Sequence, residues 1–213
     1  ISLATSTARE GKGVFLGKLG EHAFLCGPTQ AGGETLHWMV KTFYSELNGI
    51  MDHAVMENEA ANAPIGSSRL IFLPYLQGER APLWDSEARG VFMGLTLAHD
   101  RRHVTRSVFE GVGFAIRHVL ETCEEVSGAK AGRLMICGGG SSSVFWNQLK
   151  ADITQKEVVP VRATASTCLG AAMLASAGSG GFGNIEEAYE GMSQLGNSIH
   201  PDPSKAGIYD ENS

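Results

Sequence analysis

A long stretch of regularly spaced apolar residues, at about 103–126, restricts the fold more than any other part of the sequence. The apolar positions recur at steps of three and four, at Val104, Val108, Val112, Ile116, Val119 and Cys123. This spacing predicts a long α-helix with one apolar face. Asp100 is a candidate N-cap for this helix, and Gly128 is a candidate stop. Such a helix needs a neighbouring layer of structure in which its apolar face can be buried.

The rest of the chain alternates between short apolar segments and helical patterns. The predicted strands are 1–6, 13–16, 69–74, 91–93, 133–137 and 158–161. The first two are expected to pair with each other across a Gly-rich turn. The further predicted helices are 33–46, 51–61, 144–155, 168–177 and 186–195. Glycine is abundant, at 27 of 213 residues, and lies at the junctions between these segments. This alternation predicts a layered α/β fold.

The composition argues against several classes of protein. The net charge is −6 and there is no block of lysine or arginine, so a nucleic-acid partner is not expected. No apolar run reaches the roughly 18 residues that a membrane-spanning helix needs, so no membrane partner is expected. The cysteines form no CxxC pair, and they are Cys26, Cys123, Cys137 and Cys168. We expect four reduced core thiols in a cytoplasmic protein rather than disulfides or metal ligands.

The segment 134–143 (LMICGGGSSS) is the strongest candidate for a binding site. It predicts a strand that runs into three glycines and three serines, with a helix after them. Glycines allow the backbone to approach a ligand closely, and the N–H groups at a helix N-terminus attract anions. The pattern therefore suits a nucleotide, although an ordinary strand-to-helix turn has the same appearance.

Three other patterns are interpreted as structural. The segment 178–183 matches GxGxxG, but a predicted helix rather than a strand precedes it, so it is interpreted as a helix end and loop. His99 and His103 flank the candidate cap Asp100, and no metal site is expected there. The adjacent glutamate and arginine in 78–82 (GERAP) are expected to hold a turn together as an ion pair. No GxxxxGK[ST] phosphate loop occurs in the sequence.

Several segments together resemble one known family. Residues 90–95 (GVFMGL), then seven residues, then 103–110 (HVTRSVFE) are similar to the second signature of the FGGY carbohydrate kinases. Residues 76–89 (LQGERAPLWDSEAR) resemble the family's approach to this signature. Residues 138–152 (GGGSSSVFWNQLKAD) look like its adenosine-binding loop and helix, and 169–172 (LGAA) resemble its small-residue helix. The resemblance extends over essentially the whole chain.

The resemblance implies a fold and a set of nucleotide contacts. The implied fold is the actin/hexokinase-like (ribonuclease H-like) ATPase domain, with residues 1–213 as the second, C-terminal domain of a two-domain sugar kinase. The implied nucleotide-binding residues are Thr5, Ser6, Gly33, Gly138, Gly139, Gly140, Ser141 and Ser143. Thr5 and Ser6 would belong to a phosphate turn in which Ala4 replaces a family glycine. The family's catalytic aspartate would precede Ile1, so no catalytic residue and no metal ligand is assigned within the chain.

The resemblance also implies an activity for the full-length protein. The expected reaction is ATP-dependent phosphorylation of a sugar or sugar-acid hydroxyl, with ATP and Mg²⁺ as cofactors and a xylulose-like ketose as the favoured substrate. The sugar would bind mainly through an N-terminal domain that is absent from this chain, so the chain alone is expected to be inactive. A gluconokinase, a non-catalytic nucleotide-binding module and an α/β scaffold without a nucleotide remain alternatives. Homodimer formation is left open.

Overall fold

The first three strands form an antiparallel sheet. The computed structural model describes residues 1–6, 10–47, 52–163 and 165–211. The strands are β1 (Ser2–Thr5), β2 (Phe15–Leu19) and β3 (His22–Cys26), in the order β1-β3-β2. The expected direct pairing of the first two strands is therefore wrong, because β3 lies between them. A two-residue turn that begins at Gly20, with φ of 58°, joins β2 to β3 as a hairpin, and β1 pairs with the free edge of β3.

Two helices follow this sheet. Helix α1 spans Gly33–Phe43, and a short 3₁₀ turn at Ser45–Leu47 replaces the predicted last turn. Between them, the buried Tyr44 leaves the helical conformation, and its hydroxyl lies 2.6 Å from that of Thr105. Helix α2 spans His53–Ala61, with the side chain of Asp52 accepting a hydrogen bond from the N–H of Val55. Residue 51, the predicted start of α2, lies outside the described residues.

The long helix, α3, spans Arg101–Ser127. Asp100 caps it by accepting hydrogen bonds from the backbone of Arg102 and His103, and the His103 ring returns a contact to complete the capping box. Gly128 ends the helix with φ of 72°. The predicted cap and stop are therefore both confirmed. The strands β4 (Ile71–Leu73) and β5 (Val91–Met93) form an antiparallel pair against this helix.

The C-terminal part contains a parallel strand pair. The strands β6 (Arg133–Ile136) and β7 (Glu157–Pro160) lie side by side, and helix α4 (Val144–Thr154) connects them. This is the arrangement predicted by the strand–helix–strand pattern. The remaining helices are α5 (Ser166–Gly178), α6 (Ile185–Met192) and α7 (Ala206–Asp210).

Helix α3 belongs to both apolar cores. Its Val108, Phe109 and Val112 pack into the larger core, together with buried residues of α1, α2 and α4. Farther along, Val119 and Cys123 pack into a smaller core beside the first sheet. The apolar stripe is buried as predicted, and α3 fixes the position of the first sheet relative to the other helices.

The structure corrects two interpretations of polar residues. Of the four free cysteines, Cys123 is buried and Cys26 half-buried, but Cys137 and Cys168 are exposed and are not core thiols. The Glu79 carboxylate accepts hydrogen bonds from the Thr29 hydroxyl at 2.8 Å and from two backbone N–H groups. The expected ion pair with the neighbouring arginine is not among the contacts of the described residues, so backbone hydrogen bonds hold this turn.

Two further observations concern the whole described part of the chain. No group of three or more His, Cys, Asp or Glu side chains is arranged to hold a metal ion within residues 1–6, 10–47, 52–163 and 165–211. In the same residues, no helix is both long enough and apolar enough to cross a membrane.

Candidate functional site

A cleft lies between the start of α1, the middle of α3, the end of β6 and the loop before α4. Its volume is about 490 Å³. The residues that line it are Ala31, Gly32, Gly33, Glu34, His37, His53, Val112, Ile116, Leu134, Ile136, Cys137, Gly139, Gly140, Trp146 and Lys150. Several of these side chains are apolar, whereas the two Gly segments present backbone groups. This combination suits a ligand with a flat apolar part and an anionic part.

The Gly-rich loop folds back on itself before α4 begins. Gly138 has φ of 86°, and a 3₁₀ turn follows at Gly139–Ser142. The N–H and hydroxyl of Ser141 both donate to the Gly138 carbonyl, at 3.0 and 2.7 Å. The glycines are therefore separated from α4 by this turn, and α4 begins at Val144, after the serines, as the sequence pattern predicted.

The glycines in and beside this cleft are required for different reasons, and the predicted contact Gly138 is not among the lining residues. Gly138 has a left-handed backbone, and a Cβ on Gly140 would lie 2.7 Å from the Trp146 ring. A Cβ on Gly139 or Gly33 would meet nothing within 4 Å. Gly138 and Gly140 therefore satisfy the fold, whereas Gly139 and Gly33 present bare backbone to the open cleft.

Two of the predicted serine contacts have structural partners instead of facing the cleft. The Ser143 hydroxyl caps α4 by accepting the Trp146 N–H at 2.9 Å. The Ser141 carbonyl accepts the Asn147 side-chain amide at 2.7 Å. Neither serine lines the cleft, although both hold the loop whose glycines do.

The N-terminus of α1 forms the opposite wall. Its N-cap is Gly32, which offers no side-chain hydrogen bond to the first turn. The first backbone N–H groups of a helix have no partner within the helix, and they favour an anion. The exposed side chains of Glu34 and His37 also line the cleft here, with the Glu34 carboxylate 3.3 Å from the His37 ring nitrogen.

Lys150 reaches the cleft from α4 and was not identified from the sequence. Its ammonium lies 4.2 Å from the centre of the Trp146 ring, 3.3 Å from the Asn147 side-chain oxygen and 3.5 Å from the Gly140 carbonyl oxygen. Only 7% of the residue is exposed, and this burial lowers the pKa of the ammonium to about 8. The spacing of Trp146 and Lys150 by four on a helix that follows a Gly-rich loop is a signal that could have identified the pair.

Thr5 and Ser6 are not among the residues that line the cleft. The residue before β1, Ile1, exchanges two backbone hydrogen bonds with Gly27. Gly27 lies at the start of the segment that leads to α1, so this end of β1 is the one connected to the cleft wall. Thr5 is at the other end of the strand, opposite Ala23, and neither Thr5 nor Ser6 lines the cleft. The structure therefore brings Gly33, Gly139 and Gly140 together at the cleft, and the role of Thr5 and Ser6 in phosphate binding stays a prediction.

Comparison with known proteins shows the family to which the chain belongs. A model described as the C-terminal domain of the FGGY family of carbohydrate kinases matches residues 3–179. The chain belongs to this family. The Gly-rich loop and α4 make up most of residues 138–152, the segment whose sequence resembles the family's adenosine-binding loop and helix.

Two curated FGGY relatives have nearly equal similarity. The xylulose kinase of Bacillus subtilis (strain 168) is 36% identical over 167 residues, which cover 78% of this chain and 32% of that protein. The gluconokinase of the same organism is 37% identical over 160 residues, which cover 72% of this chain and 31% of that protein. The chain spans about a third of the length of the curated relatives it matches.

A solved structure confirms the predicted fold. The crystal structure of ligand-bound xylulose kinase from Lactobacillus acidophilus has a TM-score of 0.88 and 29% identity, and the match covers 99% of this chain and 42% of that one. The FGGY domain therefore has the actin/hexokinase-like fold.

The FGGY signature itself lies outside the cleft. Its last residue, Glu110, accepts hydrogen bonds from the Gly66 N–H at 3.0 Å and the Ser67 hydroxyl at 2.8 Å. A Cβ on its Gly94 would lie 2.6 Å from the carbonyl oxygen of Arg69. Residues 66–69 all have positive φ. The signature therefore holds a tight left-handed turn, and none of its residues lines the cleft.

Proposed function

We propose that this chain is the nucleotide-binding half of a kinase that transfers phosphate from ATP to a hydroxyl group of a sugar or sugar acid. The observation that carries the proposal is the cleft itself. The bare backbone at Gly33 and Gly139 lines it from two separate elements, and apolar side chains and a buried ammonium complete it. Family membership supplies the reaction class, and the cleft offers the nucleotide a place within this chain.

We favour a xylulose-like ketose as the substrate of the full-length protein. The similarity to xylulose kinases in sequence and structure supports this choice. Gluconate is the competing acceptor, because the similarity to a gluconokinase is equally high. The sugar would bind mainly through an N-terminal domain that this chain does not include. The proposal includes a cytoplasmic location, where ATP is available and thiols such as Cys137 stay reduced.

Within this proposal, the residues of the chain bind and orient the nucleotide. The backbone at Gly33, Gly139 and Gly140 would position it, and the catalytic aspartate would precede Ile1. The described residues do not fit a magnesium site made by protein ligands alone, because no cluster of three carboxylate, thiol or imidazole groups is present among them. Mg²⁺ is commonly held by substrate phosphates with one or two carboxylates, so it would arrive with ATP. We therefore expect no phosphoryl transfer by this chain alone.

The exposed cysteines provide a direct test of nucleotide binding. Cys137 lines the cleft, whereas Cys168 on α5 does not, and both thiols are exposed. Saturating ADP should slow the alkylation of Cys137 by iodoacetamide and leave the alkylation of Cys168 unchanged. Mass spectrometry of the two peptides over a time course measures both rates in one sample. Equal Cys137 rates with and without ADP would contradict the proposal.

A further inference from the structure

Lys150 is a buried cation without a charged partner. No carboxylate of the described residues lies within 4.0 Å of its ammonium, and its contacts are one carbonyl, one side-chain amide and one ring face. Two other lysines show the usual arrangement. Lys156 lies 2.9 Å from Glu124, and Lys205 lies 2.8 Å from Asp152. A buried charge is costly unless it is paired, so the isolation of Lys150 requires an explanation.

The surroundings of Lys150 suit an anion. Its ammonium is next to the Gly140 carbonyl, on the floor of the cleft that also receives the uncapped N-terminus of α1. The neutral contacts lie at 3.3 and 3.5 Å, which is long for hydrogen bonds from an ammonium group. A lysine ammonium has three donors, so it retains the capacity to make a shorter bond to a ligand.

We propose that Lys150 binds a phosphate group of the nucleotide in this cleft, with its ammonium donating to a phosphate oxygen. This inference rests on the proposed function and adds to it the residue that neutralises the ligand's charge. The phosphate would provide the counter-ion that the chain does not, in a site that excludes much of the water.

The charged and titratable groups that face Lys150 come from three elements. They are Glu34 and His37 on α1, His53 and Glu57 on α2, and Cys137 at the end of β6. Burial, which lowers the pKa of the Lys150 ammonium, is the largest effect, and the field of Glu57 opposes it. A bound phosphate would favour the charged form and raise this pKa. Binding of ADP above about pH 8 should therefore take up a proton, and the affinity should fall as the pH rises further.

The main test compares ligands that differ only in phosphate. Affinities for adenosine, AMP and ADP are measured by calorimetry for the parent, Lys150→Met and Lys18→Met. Lys18 is exposed on β2, so its replacement changes the net charge equally but away from the cleft. Lys150→Met should weaken AMP and ADP binding about tenfold or more and leave adenosine binding nearly unchanged. Lys18→Met should match the parent for all three ligands.

The outcomes separate the two proposals. An equal loss for adenosine, AMP and ADP would overturn the phosphate assignment, as would unchanged ADP affinity in Lys150→Met. Lys150→Gln replaces the methionine variant if that variant does not melt cooperatively. Absence of ADP binding by the parent, together with unprotected Cys137, would overturn the proposed function and this inference with it. Equal ADP affinities of the parent and Lys150→Met would overturn the inference about Lys150 and leave the proposed function standing.

Proton uptake gives a second readout that a purely structural role would not change. Calorimetry of ADP binding at pH 8.5 in two buffers with different ionisation enthalpies measures the protons bound. Phosphate groups are fully ionised there, because their second pKa is about 6. Both proteins carry Cys137→Ser, which removes the thiol from the cleft. The parent should take up a fraction of a proton and Lys150→Met none. Zero uptake by the parent would contradict the proposal.

Discussion

Two buried ions show how differently this domain treats charge. The Glu110 carboxylate has the Arg106 guanidinium at 2.7 Å, and it also accepts from Gly66 and Ser67. Lys150, also buried, has no carboxylate within 4.0 Å among the described residues, and the charge of Glu57 acts on it only from farther away. A complete set of partners indicates that the charge serves the fold, and an incomplete set indicates a place for a ligand. The segment that resembles the family signature includes Glu110, whereas the proposed binding of phosphate involves Lys150.

The Glu110 region also connects distant parts of the chain. The Arg106 guanidinium donates to the carbonyl oxygens of Ala60 and Ala63, at 3.2 Å each, just where α2 ends. It donates as well to the Tyr209 hydroxyl on α7 at 3.2 Å. Every charged group in this cluster therefore has partners from several elements, and none is available to a ligand.

The largest expected effect is on stability. Glu110→Ala should lower the free energy of unfolding by about 3–5 kcal/mol, because it leaves the Arg106 guanidinium buried and unpaired. Urea unfolding of the parent and the variant measures the difference. The matched control is Glu121→Ala, which removes the exposed partner of Arg117 from the same helix and should cost less than about 1 kcal/mol. Equal losses in the two variants would show that the Glu110 cluster does not support the fold as described.

An intermediate effect is expected on binding without a comparable effect on stability. Gly139→Val should weaken ADP binding by about tenfold or more, because Gly139 lines the cleft and a Cβ added there would meet no protein atom within 4 Å, so the new bulk would compete with the ligand rather than with the fold. The control is Gly132→Val, since Gly132 also has free space around its Cβ position but lies outside this cleft. Calorimetry and thermal melting should show weakened binding only in the first variant. Unchanged affinity in Gly139→Val, given measurable parent binding, would place the nucleotide elsewhere.

The smallest effect concerns the turn that the sequence assigned to phosphate. Thr5→Ala and Ser6→Ala should each change ADP affinity by less than about twofold, because neither residue lines the cleft. The same calorimetric titration measures this change. A clear loss in either variant would support the resemblance over the structure and would bring the end of β1 back into the nucleotide site.

The sequence predicted those features that depend on neighbouring residues along the chain. Helix α3 was predicted with its cap and stop, because periodicity and capping are local properties. The Gly-rich loop was predicted for the same reason. Strand β3 was missed, since its placement between β1 and β2 depends on which strand edges meet in space. Lys150 was missed because its isolation results from packing between α4 and distant elements.

The assignment of Thr5 and Ser6 to a phosphate turn rests on resemblance to a short motif and stays a prediction. The sequence misjudged residues whose partners are far away. Glu79 was paired with its neighbour in sequence, whereas the fold brings Thr29 to it. Cys137 looked like a core thiol because a strand precedes it, but it lies where that strand opens into the cleft.

The passage of α3 through both cores has a consequence for how the chain can vary. Glu110 and Ile116 lie on the same helix of 27 residues, one facing the left-handed turn and the other the cleft. Each residue added to a helix rotates everything after it by about 100° and shifts it by about 1.5 Å. A single insertion between these two positions would move the cleft wall out of register with the turn. A substitution in α3 changes the contacts of one residue, whereas a change of length between these positions would displace the whole cleft wall, so this length is fixed.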